Sequence, residues 1–439
     1  MSNTLVSVVK YEKPFESVRR AVELSMGLEH LPVNGKVFIK PNIVFWTKAA
    51  NFPKYGTITT SRVVEDIIIL LKERGIDNIT IAEGIVLMNP KDRETPRHAF
   101  MSLGYEALEK RYGIKCMNVF ERPFEPVDLG DDIQLKFNAD ILSCDFVVNL
   151  PVLKTHSETI VSLGIKNIKG LIDVPSRKKC HSADPEKNLD FHVARLADKM
   201  PPMFTLVDGI YTLERGPHFF GNAHRSNLLI ASADVLSADL VGAKILGFDP
   251  SGVPHLVHAA LNRKRPADLS DVAVVGIPPE DVAAPHEYAF PFNKDLTLPV
   301  QIEQMGVQGV SFRKTDNSLC TYCSFYPSLT LLGIAKAWNG KPWDDVEVLT
   351  GKAMAPTPGK KKTILLGKCM YKKNKEHPDI KEMIAVKECP PGPKSIVKAF
   401  HQAGIPIEPN IVYDLEGFSG RFMKRYEGNP DFDESFYRI

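Results

Sequence analysis

The chain has 439 residues, a length that corresponds to roughly two to four domains. Hydrophobic residues make up 44% of it and charged residues 25%, which excludes a disordered, fibrous or low-complexity protein. With 55 basic and 53 acidic residues the net charge is +2, so no overall field marks a nucleic-acid binder. The opening Met-Ser-Asn-Thr lacks the pattern of a signal peptide, and the longest early apolar run, residues 67–71, is too short to cross a bilayer. We therefore expect a cytoplasmic protein with no membrane contact.

Short apolar runs rich in branched residues alternate with amphipathic stretches in the first part of the chain. The runs predict buried strands at residues 37–39, 79–82, 146–148, 204–207 and 272–275. The amphipathic stretches predict helices at residues 61–74, 188–199 and 234–246. Strands and helices in alternation indicate an α/β fold, a doubly wound and mostly parallel sheet with helices on both faces.

The composition changes near residue 280, where prolines at 278, 279, 285, 291 and 299 interrupt the pattern. We expect an α/β domain over residues 1–280 and a smaller α+β region over residues 281–439. In that region, residues 364–366 and 383–385 predict strands and residues 395–402 predict a helix. The tail from Tyr413 onward has no assignable pattern.

Seven cysteines, an odd number in a chain without a secretion signal, argue against a disulfide framework. Cys116 and Cys144 lie in or beside apolar segments and are interpreted as packing residues, whereas Cys180 stands in a polar loop next to His181. The remaining four crowd into the last 120 residues and predict one metal centre, with these ligands: Cys320, Cys323, Cys369 and Cys389.

Four thiolates suit either tetrahedral zinc or an iron–sulfur cluster. The second pair, Cys369 and Cys389, is far more widely spaced than in usual zinc sites, and Cys389 is followed by proline as in bacterial ferredoxins. Both points favour a [4Fe-4S] cluster over zinc. Residues 352–394 also hold eleven lysines and four acids, which would stabilise either dianionic centre. Unrelated thiols beside a solvated lysine face remain the alternative.

Polar residues follow four of the predicted strands and should meet at one edge of the sheet, where open parallel sheets bind ligands. The predicted catalytic residues are Lys154, His156, His181 and Asp208. The predicted substrate-binding residues are Lys40, Asn42, Glu83, Lys166, Asn167 and Lys169. Together they predict a cationic cleft that holds an anion. The alternative is a neutral network in which each lysine pairs with an acid such as Glu83 or Asp208.

Several motifs resemble the domain-of-unknown-function family 362, whose members are often labelled uncharacterised iron–sulfur-centre proteins. They are Lys-Pro-Asn at 40–42, Asn-Leu-Pro-Val-Leu-Lys-Thr-His at 149–156, Gly-Ile-Lys-Asn-Ile-Lys-Gly at 164–170, Asp-Gly at 208–209, and residues 234–247. The resemblance covers roughly residues 5–275 and implies the fold and an iron–sulfur centre, but no settled reaction. Many members carry paired Cys-x-x-Cys runs, whereas this chain has one dispersed set of four cysteines.

The sequence therefore predicts an iron–sulfur protein that is a redox enzyme or electron-transfer protein acting on a small anionic substrate or a redox partner protein. Two alternatives remain open. One is a metal-dependent isomerase or lyase in which the centre is structural or acts as a Lewis acid. The other is a pure electron carrier or cluster-delivery protein.

Overall fold

The computed structural model describes residues 4–87, 89 and 91–439, and the chain divides into two compact units. Unit 1 contains the chain up to Arg177 together with Asp190–Ala289 and Gly420–Ile439. Unit 2 contains Lys178–Leu189 and Phe290–Ser419. The division thus differs from a single break near residue 280. A short segment from the first half joins unit 2 and the last twenty residues return to unit 1, and such long-range pairings leave no trace in local composition.

Unit 1 is built on a ten-stranded sheet, accompanied by a separate hairpin of β5 and β6. The strands are β1 Thr4–Lys10, β2 Val37–Pro41, β3 Ile79–Glu83, β4 Lys115–Asn118, β5 Phe124–Asp128, β6 Gln134–Asn138, β7 Phe146–Leu150, β8 Val152–His156, β9 Ile160–Val161, β10 Met203–Glu214, β11 Asn222–Ser232 and β12 Val272–Gly276. The order across the sheet is β12-β1-β11-β10-β7-β2-β3-β4, and β8 pairs with β10 and β9.

The sheet is mostly parallel, which confirms the predicted α/β class. β7, β2, β3 and β4 run parallel to one another, and every residue of β2 and β7 is buried, as expected for central strands covered on both faces. β10 and β11 form a long antiparallel pair, although the sequence predicts only a short strand at residues 204–207. The cross-strand partner decides this length, because β11 continues the pairing of β10 as far as Glu214.

The helices of unit 1 are α1 Glu16–Leu24, α2 Ser61–Glu73, α3 Glu94–Ser102, α4 Tyr105–Tyr112, α5 Ala139–Leu142, α6 Leu163–Asn167, α7 Val174–Cys180, α8 Leu189–Val193, α9 Val235–Ile245, α10 Pro254–Asn262 and α11 Pro279–Val282, with α7 ending in unit 2. The predicted helices at 61–74 and 234–246 are confirmed as α2 and α9. The predicted helix at 188–199 is shorter, because beyond α8 the backbone amides of Arg195 and Leu196 bond three residues back, as in tight turns.

Unit 2 contains a four-stranded sheet in the order β13-β14-β15-β16, and all its strand pairs are parallel. The strands are β13 Val310–Phe312, β14 Val346–Leu349, β15 Lys362–Leu366 and β16 Glu382–Val386. The helices are α12 Val300–Gln304, α13 Phe325–Ala337, α14 Lys368–Asn374, α15 Pro393–Gln402, α16 Pro409–Tyr413 and α17 Leu415–Phe418. This unit is therefore α/β rather than the expected α+β. Across the described parts of both units, no helix is long and apolar enough to span a bilayer.

Candidate functional site

All four cysteines of the predicted metal centre belong to unit 2 and follow the carboxyl ends of its strands. Cys320 and Cys323 lie in the connection from β13 to α13, Cys369 is the second residue of α14 directly after β15, and Cys389 follows β16. Because the strands are parallel, their carboxyl ends meet at one edge of the sheet, the usual place for ligands in open α/β sheets. The fold thus brings together cysteines that are up to 69 positions apart in the sequence.

Two of these thiols are already in contact. The Sγ atoms of Cys320 and Cys323 are 3.9 Å apart, within a turn closed by the Cys323 amide donating to the Cys320 carbonyl at 2.8 Å. Both side chains are largely covered, whereas Cys369 and Cys389 are exposed. The centre therefore has one sheltered side and one side open to solvent or to a partner.

The pKa values of Cys320, Cys323 and Cys369 respond to the charges of the neighbouring thiols or of Lys352. The hydrogen bond from Cys323, together with backbone amides and Lys352, lowers the pKa of Cys320 to about 6 despite burial. The pKa of Cys323 is raised by that same hydrogen bond, by burial, and by the charges of Cys320, Cys389 and Cys369. Burial, together with the charges of Cys389 and Cys320, raises the pKa of Cys369, and Lys352 opposes this shift. The raised pKa values of Cys323 and Cys369 show that several thiolates together are unfavourable here without a cation, so a cationic centre would stabilise them.

Two lysines supply positive charge at this edge. Lys352, which follows β14, donates from Nζ to the carbonyl oxygens of Lys178 and His181. The Nζ atom of Lys178 lies 3.6 Å from the Cys389 Sγ. Other members of the predicted lysine excess are engaged elsewhere: Lys360 and Lys361, just before β15, pair with Asp345 and Asp344. Lys178 is a residue that sequence reasoning missed, because it lies outside the lysine-rich segment.

The donor set fits a metal–thiolate centre by its chemistry, since four thiols and two lysines share one edge. Within residues 4–87, 89 and 91–439, no three His, Cys, Asp or Glu side chains are arranged closely enough to hold a single ion. The Cys320–Cys323 pair would therefore be two preformed ligands, and Cys369 and Cys389 would complete the set from the solvent side.

His181 belongs to unit 2 and lies beside the cysteine loop. Its Nδ1 is 3.0 Å from the Asn317 carbonyl oxygen and its Nε2 is 3.3 Å from the Thr321 Oγ1. The structure thus groups it with the candidate metal centre, although the sequence predicts it as a catalytic residue of the strand-end cleft. The reason is the chain path, because Lys178–Leu189 leaves unit 1 after Arg177.

The surroundings of Cys116 and Cys144 agree with their interpretation as packing residues. Burial raises the pKa of Cys116, whose thiol donates to the Tyr105 carbonyl at 3.6 Å. Burial also raises the pKa of Cys144 to about 12, and its thiol donates to the Ile141 carbonyl at 3.1 Å. Both thiols are thus engaged with backbone carbonyls of unit 1, as expected of packing residues.

In unit 1, the strand-end residues form a buried network centred on Lys40 and Glu83. The Lys40 Nζ lies 2.8 Å from the Glu83 Oε2 and also donates to the Asn167 Oδ1 at 3.2 Å and the Pro41 carbonyl at 2.6 Å. Burial lowers the pKa of Lys40, and the charge and hydrogen bond of Glu83 oppose this shift. Parallel pairing of β2 and β3 places the two side chains together, as the carboxyl-edge argument predicts.

Lys154 is buried, and no carboxylate of the described residues pairs with it. Its Nζ donates to the Asn42 Oδ1 at 2.6 Å, the Thr57 carbonyl at 2.7 Å and the Pro217 carbonyl at 3.2 Å. Burial and the charges of Lys166 and Lys40 lower its pKa well below the usual value, although Glu83 opposes this. These three contacts use all three of its donors, so an anion could bind it only by displacing one of them.

The remaining predicted residues either surround this network or accept hydrogen bonds from backbone amides. Asn167 donates from Nδ2 to the Asn149 Oδ1 at 2.9 Å, and its Oδ1 accepts from the Asn42 Nδ2 at 2.9 Å. The buried Asp208, whose pKa burial raises, accepts from the backbone amides of Thr60 and Ile210. The His156 Nδ1 accepts from the Glu158 amide at 3.1 Å. Lys169 is buried and Lys166 is half-buried.

The structure therefore differs from the predicted open cationic cleft. Lys40 and Lys154 lie together at the carboxyl edge, yet both are fully covered and hydrogen-bonded by protein groups. Gly170 explains the tight closure, because a Cβ there would lie 2.4 Å from the Glu83 Oε1 and 2.9 Å from the Lys40 Nζ. The Gly that ends the motif at 164–170 is the only sequence signal that marks this cover.

Comparison with known proteins finds similarity in the region that contains the buried network. A profile of the family described as "Domain of unknown function (DUF362)" matches residues 37–244, which contain the whole buried network. The chain is also 26% identical over 244 residues to "Thylakoid-associated protein sll1697" of Synechocystis sp., covering 54% of this chain and 71% of that protein. Residues 37–244 are thus similar to the family that the sequence motifs indicate. The cysteines of the candidate metal centre all lie outside the matched region.

Proposed function

We propose that this protein carries a [4Fe-4S] cluster bound in unit 2 by Cys320, Cys323, Cys369 and Cys389. The observation that supports the proposal most is that all four thiols follow the carboxyl ends of strands in one parallel sheet. Lys352 and Lys178 add positive charge beside them, which suits an anionic metal–thiolate centre. The cluster would supply one-electron redox chemistry.

Zinc is the second candidate, and one distance favours it. Tetrahedral zinc with Zn–S bonds of 2.3 Å places its sulfurs about 3.8 Å apart. The Cys320 and Cys323 Sγ atoms are 3.9 Å apart, so this pair alone fits one zinc ion. The proline after Cys389 and the wide spacing of the second pair support the cluster.

For the activity, we propose that the protein is a redox enzyme or electron-transfer protein acting on a small anionic substrate or a redox partner in the cytoplasm. The exposure of Cys369 and Cys389 supports this role, because electrons would enter or leave the centre on an open side. An isomerase or lyase with a structural or Lewis-acid metal, and a pure carrier or cluster-delivery protein, are the alternatives. Since the Synechocystis relative is named thylakoid-associated, fractionation of the native host cells tests the cytoplasmic assignment.

Anaerobic purification from iron-supplied cells, followed by iron, acid-labile sulfide and zinc analysis, tests the centre. The proposal requires about four irons and four sulfides per chain and a brown protein whose colour bleaches with dithionite. Stoichiometric zinc without sulfide would replace the cluster by the zinc alternative. A cluster whose redox state leaves turnover unchanged would favour the isomerase or lyase, and a redox-active cluster without any turnover would favour the carrier.

A further inference from the structure

An open pocket of about 380 Å³ lies in unit 1, on connections that leave the same carboxyl edge as the buried network. One wall comes from the loop after β2, with Trp46 and Lys54, and a second from α3, which follows β3, with His98. The third wall comes from the C-terminal segment, with Glu434 and Arg438. None of these residues was predicted as a site residue. The volume falls at the small end of ligand pockets, so it suits a small molecule.

The lining of the pocket carries more positive than negative charge. The Glu434 carboxylate is shared by two cations, since it lies 2.6 Å from an Arg438 guanidinium nitrogen and 3.8 Å from the Lys54 Nζ. Asn51 also donates to Glu434 at 2.8 Å. Burial would raise the pKa of Glu434, but Asn51 and the two cations outweigh it and keep the pKa low, so the carboxylate stays ionised. The single negative charge of Glu434 therefore leaves one of the two positive charges, on Lys54 and Arg438, uncompensated.

Lys54 lines the pocket and is largely shielded from water. Its side chain is only 12% exposed, and burial lowers its pKa. The Nζ lies 5.8 Å from the ring centroids of both Trp46 and Phe52 and donates to the Asn51 Oδ1 at 2.8 Å. At this distance the aromatic rings attract the ammonium group, and an anion bound beside it would offset the solvation that burial removes.

The walls are otherwise apolar or weakly polar. Trp46 and Phe52 pack edge to face with ring centroids 5.4 Å apart, and Ala50 lines the same loop. The Trp46 Nε1 donates to the His98 Nδ1 at 2.9 Å, so the neutral His98 carries its proton on Nε2, where it can donate. Lys48 at the rim pairs with Glu94, which is 81% exposed and therefore a weak partner.

We propose that this pocket binds a small monocarboxylate with an apolar body, its carboxylate held by Lys54 and Arg438. The anion site would then lie in an accessible cavity at the same edge, and not at the covered Lys40 and Lys154. It rests on the proposed function for the idea that the bound anion is the substrate, whereas binding itself involves unit 1 alone. The C-terminal segment then completes the site.

Tryptophan fluorescence of the full-length protein tests the proposal. Replacing Trp338 and Trp343, both in unit 2, by Phe leaves Trp46 as the sole tryptophan of the chain. Titration with benzoate should give a saturable change in Trp46 emission that weakens as salt is added. Acetate should bind more weakly, since it lacks the apolar body.

Three variants identify the cations. Lys54→Met should weaken benzoate binding about tenfold or more, because it removes a charge-assisted hydrogen bond in a partly buried site. Arg438→Gln, at a side chain that is 72% exposed, should weaken binding by a smaller factor and keeps the test valid if Lys54→Met does not fold. Lys424→Gln, another exposed cation of the same segment, is the control and should leave affinity unchanged.

The absence of a saturable signal with benzoate would overturn the proposal, as would equal affinity in the parent and both pocket variants. Binding of inorganic phosphate without binding of either carboxylate would overturn the ligand class. Iron and sulfide measured in the same preparations report on unit 2, so loss of the anion site and loss of the metal centre are distinguishable.

Discussion

At the scale of single residues, chemistry separates the seven thiols into ligand candidates and packing residues. Replacing Cys323 or Cys369 by Ala should abolish the metal centre, because each removes one of four ligands. Cys116→Ala should leave it intact, since the Cys116 thiol donates to a backbone carbonyl within unit 1. Iron, sulfide and zinc content measure the outcome. Equal loss in all three variants would show that the ligands are assigned wrongly.

The Lys40–Glu83 pair is the residue-scale feature that stability measurements test best. Lys40→Met leaves the buried Glu83 carboxylate without its cation, and we expect a loss of about 3–5 kcal/mol in the free energy of unfolding. The double variant Lys40→Met/Glu83→Leu removes both charges and should recover part of that loss. Urea unfolding compares them. If the double variant were less stable than Lys40→Met, the Glu83 side chain would stabilise the fold by more than compensating the charge of Lys40.

At the scale of elements, Asp239 on α9 connects two helices. Its carboxylate accepts from the backbone amides of Gly164 and Ile165, the latter in the first turn of α6, at 2.7 and 2.8 Å. Burial raises the pKa of Asp239 to about 7, and those amides oppose the shift only in part. The contact therefore ties α6, and with it Asn167 of the buried network, to α9.

This raised pKa predicts a pH dependence of stability. The folded state binds the Asp239 proton more tightly than the unfolded chain, whose aspartate pKa is about 3.9. The contribution of Asp239 to the free energy of unfolding should therefore fall as the pH rises from about 4 to 7, and should then stay constant. Asp239→Asn should lack this component, so the difference between the two urea-unfolding profiles isolates it. Parallel profiles over that range would contradict the assignment.

At the scale of the whole molecule, the C-terminal segment is part of unit 1. Tyr437 is buried, and its ring lies 5.8 Å from that of Tyr55 and 6.2 Å from that of Tyr211. Tyr437→Ala should destabilise unit 1 by about 3–5 kcal/mol, as for other large aromatic truncations. Thermal unfolding measures this, and iron content should not change, because the candidate ligands belong to unit 2. Loss of iron at full stability of unit 1 would contradict the division.

Local patterns in the chain were sufficient to predict the central strands, α2 and α9. Hydrophobic periodicity and branched side chains are properties of neighbouring residues, so they can be recognised in the sequence before the fold is known. The prediction that Lys40, Asn42, Glu83 and Lys154 meet at one edge also follows from strand ends alone.

Tertiary contacts decided the rest. Whether Lys40 and Lys154 face a ligand or the protein interior depends on Gly170, Thr57 and Pro217, which distant parts of the chain bring over them. The return of the last twenty residues to unit 1 and the passage of residues 178–189 into unit 2 are equally non-local. Burial and pairing depend on residues far apart in sequence, so no window of the sequence contains the information that determines them.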